Sequence, residues 1–259
     1  MGQFQSDKLC LWNSRALFAG RLPDLDFHHQ AAALICVALD GSFTLALEDG
    51  KEFTCTSVLV APQTTHALKP GGSCCAFLFF DPDNPDYDIL VASEASAGAP
   101  GIRMGLAEEQ QYAAAFRALL VAENDAAVAA ALAKLELSAP RPAEPSRDDE
   151  RIAAVVRRLV NEPGESIPIE ELAASVHISP SRLAHLFKER VGVPIRMFRT
   201  WYRLKTAVTL IRDGVNLTEA ALRAGFYDSA HFTNTFRDTF GLSPSVVFSA
   251  QRRIHWYIA

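Results

Sequence analysis

The chain has 259 residues, 49% of them hydrophobic and 21% charged, and a formal net charge of −5. That length is comfortable for two domains, and the composition is that of an ordinary globular protein rather than a disordered or low-complexity one. There is no basic N-terminal segment leading into an apolar run and no apolar stretch of spanning length, so the expectation is a cytoplasmic protein with no membrane partner.

The charge is unevenly spread. Residues 1–146 hold nine Lys+Arg against eighteen Asp+Glu, residues 147–259 sixteen against twelve, and from Arg182 onward twelve stand against five. Cations therefore gather in the C-terminal half, where phosphate binding would need them. All five cysteines (Cys10, Cys36, Cys55, Cys74 and Cys75) fall in the first third. An odd count without a C-x-x-C spacing supports neither a disulfide framework nor a zinc ribbon, and points to small buried hydrophobes.

In chain order, residues 1–30 are mixed, with Trp12 and Phe18 in a segment of unassigned form. From Ala31 to Phe80 short runs rich in β-branched, aromatic and Leu residues are bounded by Gly, Asp and Pro, which predicts strands of a small antiparallel barrel or sandwich. Asp40-Gly41 and Asp49-Gly50 predict type I′ hairpin turns, whose central residues need positive φ. From Leu106 to Leu137 the period becomes helical. Ala113, Phe116, Leu119 and Leu120 form one apolar stripe, and Val128, Leu132 and Leu135 a second, with Asp125 as the N-cap between them. Ser138 to Glu150, with three prolines among small and charged residues, reads as an extended spacer.

Beyond it, Arg151–Val160 predicts an amphipathic helix, and Pro168 opens another over Ile169–Val176. Ser179 and Pro180 supply the N-cap and first residue of a third helix. Its inward side is Leu183, Leu186 and Phe187; its free side is Ser181, Arg182, Ala184, His185 and Lys188. Pro194 opens a helix through Ile211, roughly 27 Å long at the usual rise. Then Leu217, Ala220, Ala221 and Ala224 form a stripe of small residues that ends at Gly225. Asp228 caps a last helix carrying Phe232, Phe236 and Phe240 inward. Its free side is Ser229, Ala230, His231, Thr233, Asn234 and Arg237. Two pairs of short helices joined by tight turns, about 168–192 and 216–241, are two helix-turn-helix units, whose second helices enter a DNA major groove. Arg182, His185 and Asn234 are the candidate base readers, since Arg suits guanine O6/N7 and Asn suits adenine N6/N7. Ser181, Ser229 and Thr233 suit phosphate contact or capping. Lys188, His231 and Arg237 complete the expected DNA-binding set.

At this point the chain resembles the AraC/XylS-type bacterial transcription regulators. The resemblance is carried by Ala221-x-x-x-Gly225-Phe226, Phe232, Phe236 and Phe240-Gly241-x-Ser243-Pro244. Upstream it extends through Leu172-Ala173, Ser179, Leu183, Phe187-Lys188, Gly192 and Arg203-Leu204-x-x-Ala207, and it covers roughly residues 148–249. The sequence departs from the family after Ser-Pro, where Val247-Phe248-Ser249 replace the usual aromatic and arginine. His28-His29, Gly41, Gly50 and Pro62-x-x-x-His66 look like the cupin-type sensor domain that many such regulators carry. The resemblance implies a two-domain protein: a mainly-β cupin-like barrel (1–104), a helical hairpin (105–137), the Pro-rich linker (138–147) and an all-α DNA-binding domain (148–259). It implies double-stranded DNA as partner, RNA polymerase if the protein is an activator, and a small effector in the barrel, with His28, His29, Cys36 and His66 as candidate contacts. It also implies a homodimer through the hairpin, with Phe116, Leu119, Leu120 and Leu132 as contacts; the other reading is that both stripes simply cover the barrel. Enzymatic cupins hold a metal with a His cluster and a carboxylate. Here the next acid after His28-His29 is Asp40, so neither metal nor cofactor is expected and the protein is read as a non-enzyme. A cupin-type metalloenzyme with a helical interaction module, or a thiol- or metal-sensing regulator, remain the alternatives.

Overall fold

The computed structural model describes residues 6–84, 86, 99–135 and 147–259; of the expected spacer, Ser138 to Glu150, residues 138–146 lie outside them, and Arg147–Glu150 are instead the first turn of a helix that runs to Asn161. The chain groups into two compact units, Met1–Ala139 with Arg237–Ala259, and Pro140–Phe236.

The first unit is built from two sheets and a helical hairpin. Its strands are β1 (Asp7–Trp12), β2 (Arg15–Arg21), β3 (Leu25–His28), β4 (Ala33–Ala38), β5 (Phe43–Ala46), β6 (Glu52–Cys55), β7 (Ser57–Val60), β8 (His66–Lys69), β9 (Cys74–Phe80), β10 (Ile102–Met104) and β11 (Ile254–Ile258). They form a seven-stranded sheet in the order β10-β7-β4-β9-β2-β1-β11 and a four-stranded sheet in the order β3-β8-β5-β6. Every residue of β4 is buried, as expected of a central strand covered on both faces.

The turns differ from the sequence expectation. β4 and β5 lie in different sheets, so Asp40-Gly41 is a crossover rather than a hairpin. Its backbone stays at negative φ, and Asp40 Oδ1 accepts from Cys74 N–H at 2.7 Å. Asp49-Gly50 does join the antiparallel pair β5 and β6. Only Gly50 is left-handed, at φ 83°, and Leu47 N–H donates to Lys51 O at 2.9 Å, which makes a three-residue loop closed by a left-handed glycine. The two-residue turn with positive φ at both central positions is instead Asn13 (41°) and Ser14 (54°), between β1 and β2. Asparagine tolerates that conformation through its short polar side chain.

Helices α1 (Glu109–Val121) and α2 (Asp125–Leu132) share one core cluster with the seven-stranded sheet. The N-cap of α2 is Asn124, whose side chain accepts from Ala127 N–H at 3.0 Å, one residue before the expected cap. Phe116 and Leu119 are 0% exposed, Leu120 4% and Leu132 2%. These four therefore pack against their own sheet and offer nothing to a second subunit. The covering reading of the stripes is the one that the packing supports. Two cations are buried with partners: Lys8 Nζ donates to Ala122 O at 2.6 Å, and Arg15 pairs with Asp86 while lying over the Phe80 ring.

Strand β11 has no counterpart in the sequence reading. It runs parallel to β1, from Asp7 opposite Ile254 to Leu11 opposite Ile258, and Arg252 pairs with Asp7 at 2.5 Å.

The second unit is helical: α3 (Arg147–Asn161), α4 (Ile169–Ser175), α5 (Pro180–Val191), α6 (Ile195–Arg212), α7 (Leu217–Arg223) and α8 (Ser229–Phe240), with the end of α8 and the short α9 (Pro244–Val247) grouping with the first unit. Ile152, Val155, Leu159, Leu172, Leu183, Leu186, Phe187, Phe198, Trp201 and Leu204 are its core, with Phe187 edge-on to Phe198 at 5.4 Å. The loop after α3 packs on the turn after α7. Gly225 is left-handed at φ 86°, and a Cβ there would stand 2.4 Å from Gly164 O. Arg203 Nε donates to Pro163 O at 3.0 Å, fixing the same loop to α6. Among the described residues no helix is long and apolar enough to cross a membrane.

Candidate nucleic-acid interface

Helices α4 and α5 form the first helix-turn-helix. The Ser179 hydroxyl accepts from Arg182 N–H at 3.2 Å, Pro180 takes the first position, and Gly192, at φ 80°, ends the helix. Leu183, Leu186 and Phe187 are buried, which turns Ser181, Arg182, Ala184, His185 and Lys188 outward, and all five are exposed. In the second unit of the motif, α7 and α8, Asn216 caps α7 through Glu219 N–H (3.0 Å) and Asp228 caps α8 through His231 N–H (2.7 Å). Phe226, Phe232 and Phe236 are buried, their rings meeting edge-on at 5.2 and 5.8 Å. Ala230, His231, Asn234 and Arg237 are then exposed, with Ser229 and Thr233 half-buried.

Each helix thus gathers its predicted residues on one free face, but they are not equally available. Arg182 is held by Asp148 of α3 at 3.2 Å, and Arg190, at the far end of α5, by Asp149 at 3.3 Å. Thr233 turns its hydroxyl back to Ser229 O at 2.8 Å. His185 lies 3.8 Å from Glu189. The His231 ring rests edge-on against Phe226 and accepts from Tyr227 N–H at 3.4 Å. Lys188 and Arg237, by contrast, carry no ion pair among the described residues.

The four candidate effector residues do not form one cluster. His28 and His66 pair across β3 and β8 with ring centroids 4.4 Å apart. Burial pushes their pKa values down to about 4 and about 3, so both rings are neutral at neutral pH. His66 Nε2 and both amide atoms of Gln30 are buried without a hydrogen-bond partner. Cys36 lies on β4 in the other sheet, beside Cys75, its thiol pushed up by burial. His29 is exposed. Gln30 was not singled out by its sequence, and no periodicity marks it, since it follows the end of a strand. Among the described residues no group of three or more His, Cys, Asp or Glu could hold a metal ion.

Comparison with known proteins bears on this geometry. A family model described as a helix-turn-helix domain matches residues 172–250. The regulator MtrA of Neisseria gonorrhoeae is 28% identical over 97 residues, 37% of this chain and 32% of its own. The arabinose operon regulatory protein of Escherichia coli is 32% identical over 78 residues, 30% of this chain and 27% of its own. The matched part thus spans about a third of these relatives' length. The solved structure of ToxT from Vibrio cholerae O395 matches 93% of this chain and all of its own, with a TM-score of 0.55 at 12% identity, a likeness of fold. Over its helix-turn-helix part, residues 172–250, the chain is similar to these regulators, and ahead of that part it carries a sheet domain.

Proposed function

We propose that the chain is a sequence-specific DNA-binding transcription regulator that acts in the cytoplasm and answers to a small effector held by its sheet domain. The observation that carries the reading is the pair of exposed faces on α5 and α8, each backed by a buried apolar side. Arg182, His185 and Asn234 read base edges, while Lys188, Arg237, His231 and the hydroxyls of Ser181, Ser229 and Thr233 hold the backbone. Regulation follows from population shift, with the effector favouring the arrangement of the DNA-binding halves that suits one spacing of half-sites. Enzymatic activity forms no part of the proposal.

The effector contacts are His66 and Gln30, because buried donors and acceptors without partners are costly unless something satisfies them. Neutral imidazoles and an amide suit a ligand with hydrogen-bonding groups. An unsaturated fatty acid is bound in one solved structure of ToxT, and an apolar molecule with one polar head fits that description. A homodimer, if formed, uses a surface other than Phe116, Leu119, Leu120 and Leu132. RNA polymerase is a partner if the protein activates.

Selection of bound fragments from a random duplex pool tests the proposal. Two enriched blocks about one helical turn apart, roughly 34 Å, are expected from two recognition helices on one face of DNA. If no sequence is enriched with or without cell extract, the regulator reading fails.

A further inference from the structure

Tyr227 is absent from the recognition faces above, yet the residue is 86% exposed, more so than Phe27, Val121 or Leu222, the other exposed large hydrophobic residues among those described. A single exposed aromatic is ordinary on a protein surface. What sets Tyr227 apart is that its position is fixed. On one side Phe226 is buried and packs against His231 and Phe232. On the other Asp228 caps α8, and the N–H of Tyr227 itself reaches His231 Nδ1. With both neighbours anchored, the side chain leaves the protein at one place, immediately ahead of the first turn of α8.

That place matters for DNA. The N-terminal end of a recognition helix is the part that meets base edges. Residues just ahead of it stand at the lip of the groove, where phosphates are the nearest groups, and tyrosine hydroxyls are among the side-chain donors that phosphates accept from. The two χ angles of tyrosine also cost little entropy to fix on contact.

We infer that Tyr227 is a phosphate contact of the second helix-turn-helix, its phenol O–H donating to a phosphate oxygen of the strand that borders the groove entered by α8. The inference rests on the DNA-binding reading above. A phenol is neutral, so unlike Lys188 or Arg237 it releases no counterion when it binds. Its signature is therefore a loss of affinity that is the same at every salt concentration and on every sequence.

The experiment compares wild type, Tyr227→Phe, Tyr227→Ala and Lys188→Ala by fluorescence anisotropy across a salt series. The probes are a labelled random-sequence duplex and the duplexes that wild type enriches from it. Thermal unfolding of the variants should match wild type, since Tyr227 is largely exposed. Loss of a hydrogen bond to a charged group predicts about tenfold weaker binding for Tyr227→Phe, and at least that for Tyr227→Ala, on both probes and with the salt slope of wild type. Lys188→Ala, by contrast, should flatten the slope. Unchanged affinity in Tyr227→Phe overturns the hydrogen bond, and a loss confined to particular sequences makes Tyr227 a base contact instead. If wild type does not bind either probe even at low salt, the DNA-binding reading falls and this contact with it.

Discussion

Replacing Gly225 with alanine should damage the second helix-turn-helix severely, and the structure lets the cost be divided. Gly225 sits at φ 86°, where an alanine pays about 1–2 kcal/mol for the left-handed conformation. The added Cβ would also stand 2.4 Å from Gly164 O, 2.9 Å from Gly164 Cα and 3.0 Å from its carbonyl carbon. These are backbone atoms that no rotamer change can move aside, so overpacking adds about 1–3 kcal/mol. Gly225→Ala should therefore cost about 2–5 kcal/mol in total. Two companions separate the contributions. Gly214 is left-handed at φ 84° with nothing within 4 Å of its would-be Cβ, so Gly214→Ala should show the conformational cost alone. Gly164→Ala needs no unusual φ and meets Arg223 O at 3.2 Å, and about 1 kcal/mol is expected of it. Urea unfolding of the full chain, read at the transition that reports on α3–α8, measures all three. With m near 1–3 kcal/mol/M, the Gly225→Ala midpoint should fall by about 1 M or more. If Gly225→Ala costs no more than Gly214→Ala, the packing of the α3–α4 loop on the α7–α8 turn is refuted.

Other consequences follow from single contacts. Asp148→Asn should free Arg182 for DNA; the pair is 50% and 30% exposed, so at about 0.2–1 kcal/mol the gain in affinity is at most about fivefold, and weaker binding would instead mean that Asp148 braces the domain. Phe116→Ala should destabilise the sheet unit by about 3–5 kcal/mol while leaving the oligomeric state seen by sedimentation unchanged; a folded variant that merely dissociates would restore the dimer reading of the hairpin. His28 and His66 are held near pKa 4 and 3 against 6.5 when unfolded, so between about pH 6.5 and 3 the unfolded chain binds more protons. Stability contributed by the neutral pair is then present above pH 6.5 and lost as the pH falls through that window. His66→Gln should flatten this part of the pH profile of unfolding, and an unaltered profile would mean that the pair does not titrate as its burial implies.

Much of the recognition half was legible because local chemistry specifies it. Ser179, Asp228 and Gly225 do the capping and turning that their residue types suggest, and Leu183, Leu186, Phe187, Phe232 and Phe236 sit at helical spacing and are buried. Legibility stopped where the outcome depended on distant partners. Asp40-Gly41 has the local signature of a hairpin, but β4 finds β7 and β9, so the dipeptide spans two sheets. Strand β11 needed a parallel partner at the opposite end of the chain, and a five-residue run does not reveal one by its period. Whether the stripes on α1 and α2 faced a sheet or a second subunit was likewise undecidable from spacing, since both surfaces are apolar. Within the recognition face, spacing found Arg182 but could not show that Asp148 holds it. It also passed over Tyr227, which lies in the turn and outside any helical period.

The central claim is that the free faces of α5 and α8 bind the DNA backbone. The most direct test is the salt dependence of duplex binding by wild type and by the Lys188→Ala/Arg237→Ala double variant, in the full-length protein. Two lost phosphate contacts should reduce the slope of log K against log salt by about 1.8, at about 0.9 per contact, with the fold intact. An unchanged slope and affinity in the double variant would place the DNA elsewhere on the molecule and contradict the account.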